Sequence, residues 1–228
     1  MLPLRDSIPT RSFPIVTVAL IAVNAAVWLF YELPHLQRSV DQLAFHPCEV
    51  NNSCPQIGHD WPLTALTSMF MHGSWSHILG NMLFLWIFGN NVEDVMGRVK
   101  FLLFYLLSGF AATALQTLIT LQFASHAAAT IPNLGASGAI SGVLAAYFVL
   151  FPRARVLTLV FFFLVEVPAY WFLGAWFLFQ LLYGGGALIH PESNGGVAFF
   201  AHIGGFAFGL ATVHLFVSRE KKPLQPRW

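Results

Sequence analysis

Charged side chains are scarce in this sequence. Asp, Glu, Lys and Arg make up 9% of the 228 residues, whereas a soluble globular domain has about 25%. Hydrophobic residues reach 57%, with 23 Phe and 7 Trp, and a soluble fold of this length could not bury that much apolar surface. The composition therefore excludes a soluble domain and predicts an integral membrane protein with several spans. A net charge of +1 gives no basis for nucleic-acid binding.

The few charges are grouped, and the nearly charge-free stretches between them predict six membrane-spanning helices. Crossing the hydrocarbon core takes about 20 apolar residues. The predicted spans are residues 13–31, 64–90, 99–121, 136–151, 156–182 and 197–217. We therefore expect an all-α integral membrane fold, a bundle of six transmembrane helices. The fifth span contains Glu166, and Pro168 predicts a kink in it.

The Lys and Arg residues predict the orientation of this bundle. With six spans, both termini share one side with the 2–3 and 4–5 connections. Those segments hold every Lys and Arg except Arg38, and cytoplasmic segments are the ones enriched in basic residues, so both termini are predicted to be cytoplasmic. The chain then divides into a cytoplasmic N-terminus (1–12), a six-span domain (13–217) with an external loop (33–62), and a cytoplasmic tail (218–228).

Cysteine is also rare, and the two cysteines, Cys48 and Cys54, both fall in the external loop. An oxidising compartment outside a bacterial membrane favours a disulfide between them. Two alternatives stay open at this point. The thiols are free, or they bind a metal together with His46 and His59, although that spacing is not a standard zinc signature.

Polar side chains inside a bilayer are costly and therefore point to function. His77 and Asn81 are four residues apart in the second span, so they share a helix face. Ser137 lies at the start of the fourth span, and His202 lies near the start of the sixth. Because all three helices run from outside to inside, we expect these four residues at a similar depth, on the external side of the midplane.

This set of residues fits nucleophilic catalysis. A serine hydroxyl becomes a nucleophile when a nearby histidine takes its proton, which suits Ser137 and His202. The oxyanion that follows needs hydrogen-bond donors, and the Asn81 amide, a His77 N–H and the backbone N–H of the serine can supply them. Since no Asp is available at this depth, the sequence predicts a Ser–His dyad and not a triad.

Two Gly-x-x-x-Gly patterns predict that the fourth and sixth spans touch. Gly138 and Gly142 form one pattern, and Gly205 and Gly209 form the other. Such spacing lets the backbones of two helices approach closely. The histidine of the sixth span precedes Gly205 by three residues, so this contact is expected to bring it toward the serine of the fourth.

Together these motifs resemble those of the rhomboid intramembrane serine proteases. "HILGN" (77–81) matches the family's H-x-x-x-N, "GASG" (135–138) its G-x-S-G, and "AHIGGFAFG" (201–209) its A-H-x-x-G-x-x-x-G. They stand in the family's order on the second, fourth and sixth spans. "EDVMG" (93–97) is similar to the family's E-x-x-x-G.

The resemblance implies cleavage of single-span or multi-span membrane proteins near the external surface. It implies no cofactor and no metal, and a location in the lipid bilayer of a bacterial inner or plasma membrane. By the same resemblance Ser137 is the nucleophile, His202 the general base, and His77 and Asn81 part of the oxyanion hole.

Further residues receive roles only through the resemblance. Those with a supporting structural role are Gly135, which shapes the loop before the nucleophile, Gly138, Gly205 and Gly209, which pack the helices, and Glu93 and Gly97, which hold helix ends on the cytoplasmic side. In the family the fifth span borders the opening for substrate, so Glu166 and Pro168 are candidates for a gate.

The sequence departs from the family pattern in two places. Many members carry an aromatic residue four positions after the nucleophile, stacked on the general base, but here that residue is Ser141, so the base must be held differently. The Trp-Arg pair of the first external loop is absent. Two other functions stay open: a catalytically silent relative that binds membrane proteins, and a transporter built on Glu166 and the histidines. The silent relatives usually lack the serine or the histidine, and both are present here.

Overall fold

The fold is a bundle of helices with a small β-sheet at one end. It is seen in a computed structural model that describes residues 1–54, 60–189 and 198–217. His59 and the tail 218–228 lie outside the described residues, so the predictions made for them are not addressed by the structure.

The helices follow the predicted spans in most of the chain. Their bounds are α1 Ile15–Ala26, continued by a π-helical segment Val27–Glu32, α2 Leu36–Leu43, α3 Trp61–Thr67, α4 Trp75–Phe84, continued by a π-helical segment Leu85–Gly89 and α5 Asn90–Met96, α6 Arg98–Phe123, α7 His126–Ala129, α8 Ser137–Leu150, α9 Ala169–Ile189 and α10 Phe199–Phe216. Short 3₁₀ turns occupy Pro47–Glu49 and Ser68–Phe70.

Three helical segments in the described part of the chain are long and apolar enough to cross a membrane. They are Ile15–Glu32, Arg98–Phe123 and Phe199–Phe216, and Ser137–Leu150 is a shorter apolar helix. Their length and composition agree with a helical membrane protein.

The prediction of an all-α fold is wrong at one end of the bundle, where three strands form a sheet. The strands are β1 Leu2–Asp6, β2 Arg155–Val160 and β3 Phe163–Pro168, antiparallel in the order β1-β2-β3. The predicted N-terminus 1–12 thus contributes a strand, and the fifth helix begins at Ala169 instead of at residue 156. A short apolar run rich in β-branched residues suits a strand as well as a helix, and pairing with the distant β1 decides between them.

The predicted position of Glu166 and Pro168 inside the fifth helix is therefore wrong. Glu166 lies on β3 opposite Leu157 and is half-exposed, and its carboxylate is 3.6 Å from the guanidinium of Arg155. Pro168 is the last residue of β3 and directly precedes α9, so it introduces no kink within that helix. The acid therefore lies outside the helix, with Arg155 as a basic neighbour on the adjacent strand.

The second predicted span, 64–90, is also not one helix. It is broken at residues 71–74, and a new helix begins at Trp75 because the Ser74 hydroxyl accepts a hydrogen bond from the backbone N–H of His77 (3.2 Å). A serine N-cap of this kind satisfies a donor that the first turn of a helix leaves unpaired. The helical segment then runs on to Met96, beyond the predicted end.

Helices α8 and α10 are in backbone contact. A Cβ atom on Gly209 would lie 2.5 Å from the carbonyl oxygen of Gly142, and one on Gly205 would collide with the carbonyl oxygen of Gly138. No side chain larger than hydrogen fits at either position of α10. Residues Gly138–Tyr147 of α8 are buried, so this helix is the centre of the bundle.

Glu93 connects the end of the second helical segment to the start of the first. Its carboxylate accepts hydrogen bonds from the backbone N–H groups of Val16 (3.0 Å) and Thr17 (2.8 Å) and from the Thr17 hydroxyl (2.8 Å). These N–H groups belong to the first turn of α1, where no intrahelical acceptor exists. Gly97 separates α5 from α6 with a φ of 80°, a conformation that suits glycine.

In the external loop, Cys48 and Cys54 form a disulfide. Their sulfur atoms are therefore not available as metal ligands, and the metal alternative is wrong in this state of the protein. The loop also reaches the segment before α8, since Phe45 and Asn133 exchange two backbone hydrogen bonds of 3.1 and 2.7 Å.

Candidate active site

Ser137 and His202 are in direct contact. Ser137 is the first residue of α8, and its hydroxyl oxygen lies 2.8 Å from Nε2 of His202 in the first turn of α10. The glycine contact between α8 and α10 permits this approach, because it brings the two helix starts together. As the first residue of a helix, Ser137 also presents a backbone N–H that has no acceptor within the helix.

The hydrogen bond at Nδ1 of His202 determines which of its two ring nitrogens carries the proton. Its Nδ1 lies 2.8 Å from Oε1 of Gln180 on α9. An amide oxygen only accepts hydrogen bonds, so Nδ1 carries the proton and donates it. Nε2 is then the unprotonated nitrogen and accepts the hydrogen bond of the Ser137 hydroxyl. This is the arrangement that a general base requires.

The segment before Ser137 is held by a backbone hydrogen bond and contains a glycine with an unusual conformation. The backbone N–H of Gly135 donates to the carbonyl oxygen of Ser68 (2.9 Å). Gly135 has a φ of 122°, which a residue with a side chain rarely adopts. A Cβ atom here would also lie 2.6 Å from Nε2 of His77. The glycine therefore allows His77 to lie beside Ser137.

His77 and Asn81 supply hydrogen-bond donors to the same cavity. Nδ1 of His77 faces the backbone N–H of Gly73 at 3.5 Å, which leaves Nε2 as the N–H of this ring. The side-chain amide of Asn81 donates one N–H to Nε2 of His72 (3.0 Å) and keeps a second. Both residues line a cavity of about 720 Å³ together with Ser137 and His202.

Three residues of the site were missed by reasoning from the sequence. Trp176 and Gln180 lie one turn apart on α9, and the Trp176 ring centroid is 5.9 Å from that of His202 at an angle of 40°. Position 141 carries a serine and no aromatic ring, and the neighbours of the His202 ring come from α9 instead. Glu32 is fully buried and accepts the backbone N–H of His72 (2.8 Å). Gln180 is the one amide side chain in residues 156–182. Because polar side chains within apolar spans are costly, this residue could have been predicted as a site residue from the sequence.

Ser141 and Glu166 are not part of the reacting group of residues. The Ser141 hydroxyl is fully buried and donates to the backbone carbonyl of Ser137 (2.6 Å), a bond within α8. Glu166 lies at the β-sheet, beyond the far end of α8. A helix of this length spans about 20 Å, so Glu166 is remote from Ser137.

The comparisons with known proteins identify the family of the chain. The family model described as the rhomboid domain matches residues 60–219. Over 194 residues, 84% of this chain and 50% of the relative, the sequence is 30% identical to rhomboid protein 1, mitochondrial, of Saccharomyces cerevisiae. The human presenilin-associated rhomboid-like protein, mitochondrial, is 28% identical over 219 residues, which is 92% of this chain and 51% of that protein.

A bacterial relative is also found. The rhomboid protein YdcA of Bacillus subtilis is 31% identical over 141 residues, 60% of this chain and 62% of that protein. The chain spans about half the length of the mitochondrial relatives. With its helical membrane fold and its match over most of the length, this chain belongs to the rhomboid family.

Proposed function

We propose that the protein is an intramembrane serine endopeptidase that cleaves transmembrane protein substrates with a Ser–His dyad. The observation that carries the proposal is the 2.8 Å contact between the Ser137 hydroxyl and Nε2 of His202. The contact lies in a cavity whose wall also holds the donors of His77 and Asn81. Relatives without protease activity have no need for a serine and a histidine in this arrangement.

The proposed reaction begins with attack of the Ser137 oxygen on the carbonyl carbon of the scissile peptide bond. The hydroxyl proton moves to Nε2 of His202. The negative charge that develops on the carbonyl oxygen is stabilised by the N–H groups of His77, Asn81 and Ser137. His202 then gives its proton to the leaving nitrogen, the C–N bond breaks, and an acyl-enzyme remains.

Hydrolysis of the acyl-enzyme completes the cycle. Water enters the open cavity and attacks the ester carbon while His202 takes one of its protons. Return of that proton to the Ser137 oxygen releases the new carboxyl terminus and restores the resting state. No cofactor or metal takes part in these steps.

The proposed topology has six spans and cytoplasmic termini, with α1, α4–α5, α6, α8, α9 and α10 crossing the bilayer. Pairing of β1 with β2 brings residues 2–6 to the end of the bundle that carries Arg153 and Arg155. The Asp94 carboxylate accepts from the backbone N–H of Arg11 (3.2 Å), which places that residue at the same end. A concentration of basic residues favours the cytoplasmic side.

The proposed site then faces the external half of the membrane, because Ser137 begins α8 at the opposite end. The disulfide in the neighbouring loop favours an oxidising compartment on that side. A bacterial plasma membrane is one proposed location, and a mitochondrial membrane is the other, because the names of several relatives include the word mitochondrial. Substrates are proposed to be single-span or multi-span membrane proteins whose helices unwind readily, since a helical peptide bond is shielded from attack.

The test is cleavage of a panel of reporter transmembrane substrates by the purified full chain in detergent. Wild type is compared with Ser137→Ala and with Ser141→Ala, which removes a serine hydroxyl one turn further along the same helix. We expect cleavage by wild type and by Ser141→Ala, and none by Ser137→Ala. Thermal unfolding of the three proteins verifies that they are equally folded.

Two outcomes would overturn the proposal. Equal cleavage by wild type and Ser137→Ala would mean that the activity belongs to a contaminant or to another nucleophile. A stably folded wild type that neither cleaves any substrate nor reacts at Ser137 with a fluorophosphonate would favour the catalytically silent, protein-binding function.

A further inference from the structure

We propose that Gln180 is the positioning residue of the general base, with Trp176 packing beside the ring. This inference deepens the proposed function and rests on it for its catalytic meaning. It adds α9 to the site, whereas the family's motifs lie on α4, α8 and α10. The juxtaposition that carries it is the contact of both α9 residues with the His202 imidazole.

The first argument is the geometry of the amide. Oε1 of Gln180 lies 2.8 Å from Nδ1 of His202, on the side of the ring opposite the nucleophile. The amide nitrogen faces the backbone carbonyl of Trp176, one turn earlier on the same helix, at 3.5 Å. A carbonyl oxygen only accepts hydrogen bonds, so the amide nitrogen is the atom that faces it and the amide oxygen faces the histidine. The preceding turn of α9 thus favours the amide orientation in which Oε1 faces His202.

The second argument is burial. Gln180 is 5% exposed on a helix whose neighbouring side chains are mostly large and apolar. A buried amide is costly unless its polar atoms are paired, and His202 pairs the oxygen. If this position had only a packing role, leucine or phenylalanine would suit it better, as elsewhere on α9. The amide is explained by the histidine that it contacts.

The third argument is chemical. When His202 takes the serine proton at Nε2, the ring becomes positively charged and its Nδ1–H bond to the amide oxygen strengthens. Gln180 therefore holds the ring in the reactive tautomer and stabilises its charged form, the two tasks that an aspartate performs in a Ser-His-Asp triad. It does so without placing a negative charge in the bilayer, where an ionised carboxylate is costly.

Trp176 limits the motion of the ring. Its indole lies against the imidazole and against Phe206 of α10, with ring centroids 5.9 and 6.2 Å apart. This contact supplies an aromatic neighbour from α9, in place of one from the position now held by Ser141. The general base is then confined by α9 on one side and by the nucleophile on the other.

The test uses Gln180→Leu and Gln180→Glu in the full chain, with Gln122→Leu as the matched control at an exposed position on α6. The first readout needs no activity. Nitrogen NMR of ¹⁵N-histidine-labelled protein, with the His202 signals assigned by their loss in His202→Ala, reports which ring nitrogen carries the proton. We expect Nδ1–H in wild type and in Gln122→Leu, and a shift toward Nε2–H in Gln180→Leu.

The second readout is the pH profile of kcat and KM for a reporter substrate. Gln180→Leu is expected to lower kcat at least tenfold with KM within about twofold. Gln180→Glu is expected to retain activity and to move the acidic limb to higher pH, because a carboxylate favours the protonated ring. The titratable side chain closest to this site in the same cavity is His77, and it is unchanged in every variant.

The outcomes separate the two proposals. An unchanged His202 tautomer in folded Gln180→Leu, or unchanged kcat with an unchanged pH profile, would overturn the positioning role. If wild type is inactive but the tautomer shifts as expected, the positioning contact stands and the proposed protease function fails. Packing alone predicts a lower melting temperature in Gln180→Leu with no change in tautomer.

Discussion

The imidazole of His77 occupies the space that a side chain at position 135 would need. Nε2 of His77 lies 2.6 Å from the position of a Cβ atom on Gly135, and the Ser137 hydroxyl lies 3.6 Å from it. One glycine thus allows the proposed oxyanion donor His77 and the proposed nucleophile Ser137 to lie side by side. Its φ of 122° adds a second reason for glycine, since a side chain there strains the backbone.

Gly135→Ala is therefore expected to lower the cleavage rate at least tenfold. The methyl group displaces His77, and loss of an oxyanion-hole donor costs about 10²–10³ in kcat. The strained φ costs about 1–3 kcal/mol of stability in addition. Gly185→Ala is the matched control, because a Cβ on Gly185 meets nothing within 4 Å. Full activity in Gly135→Ala would contradict the assignment of His77 to the oxyanion hole.

Glu32→Ala is expected to lower kcat about tenfold or more with little change in KM. The Glu32 carboxylate fixes the backbone of His72, and the His72 ring in turn accepts from the Asn81 amide. Loss of the first contact frees the residues that orient the oxyanion donor, and catalytic groups must be held to within about 0.5 Å. Glu32→Gln keeps an acceptor at the same place and should retain most of the activity. The measurement is kcat and KM of both variants beside wild type. Equal rates for Glu32→Ala and wild type would show that the contact of Glu32 with His72 has no catalytic effect.

Asp6 predicts a pH dependence of stability that is separate from catalysis. Burial raises the pKa of this carboxyl from 3.8 to about 6, although the Tyr147 hydroxyl and the Asn91 amide both donate to its Oδ2. The folded protein thus holds the proton more tightly than the unfolded chain does. The resulting stabilisation is fully present below about pH 4 and is lost as the pH rises to about 6, at about 1.4 kcal/mol per unit of pKa shift.

The substitution Asp6→Asn removes this titration and keeps an acceptor oxygen for both donors. Melting temperatures of the detergent-solubilised chain at pH 4 and pH 7 should therefore differ less for Asp6→Asn than for wild type. Asp41→Asn, at an exposed position on α2, is the control and should behave as wild type. If the melting temperature of Asp6→Asn depends on pH as strongly as that of wild type, other groups cause the dependence.

The disulfide predicts a redox-dependent stability of the external loop. Cys48 and Cys54 are buried and pack with Ala129 and Leu121, and His126 Nε2 lies 3.2 Å from the carbonyl of Ser53 between them. Opening this short loop by reduction, or by Cys48→Ser with Cys54→Ser, is expected to cost about 2 kcal/mol. Melting temperature with and without reductant measures the effect, and mass shifts after thiol alkylation verify the bond. Alkylation of the folded, unreduced protein would show that the disulfide is absent.

Much of the site could be predicted from the sequence because its requirements are local. Polar residues within apolar spans identify themselves, since the bilayer makes each one costly. The predicted contact of Ser137 with His202 followed from glycine spacing, and the structure brings their reactive atoms within 2.8 Å. The predicted ends of the first, third, fourth and sixth spans lie within two residues of the helix ends.

The sequence by itself thus determined the membrane class, the family and the order of the family's motifs, each visible in composition or in fixed spacing. Only the tertiary structure decided that residues 155–168 form a hairpin, because its first strand pairs with β1, about 150 residues away. It also decided that Gln180 and Trp176 contact the His202 ring. Those contacts join side chains on separate helices, and no local pattern encodes which faces of two helices meet.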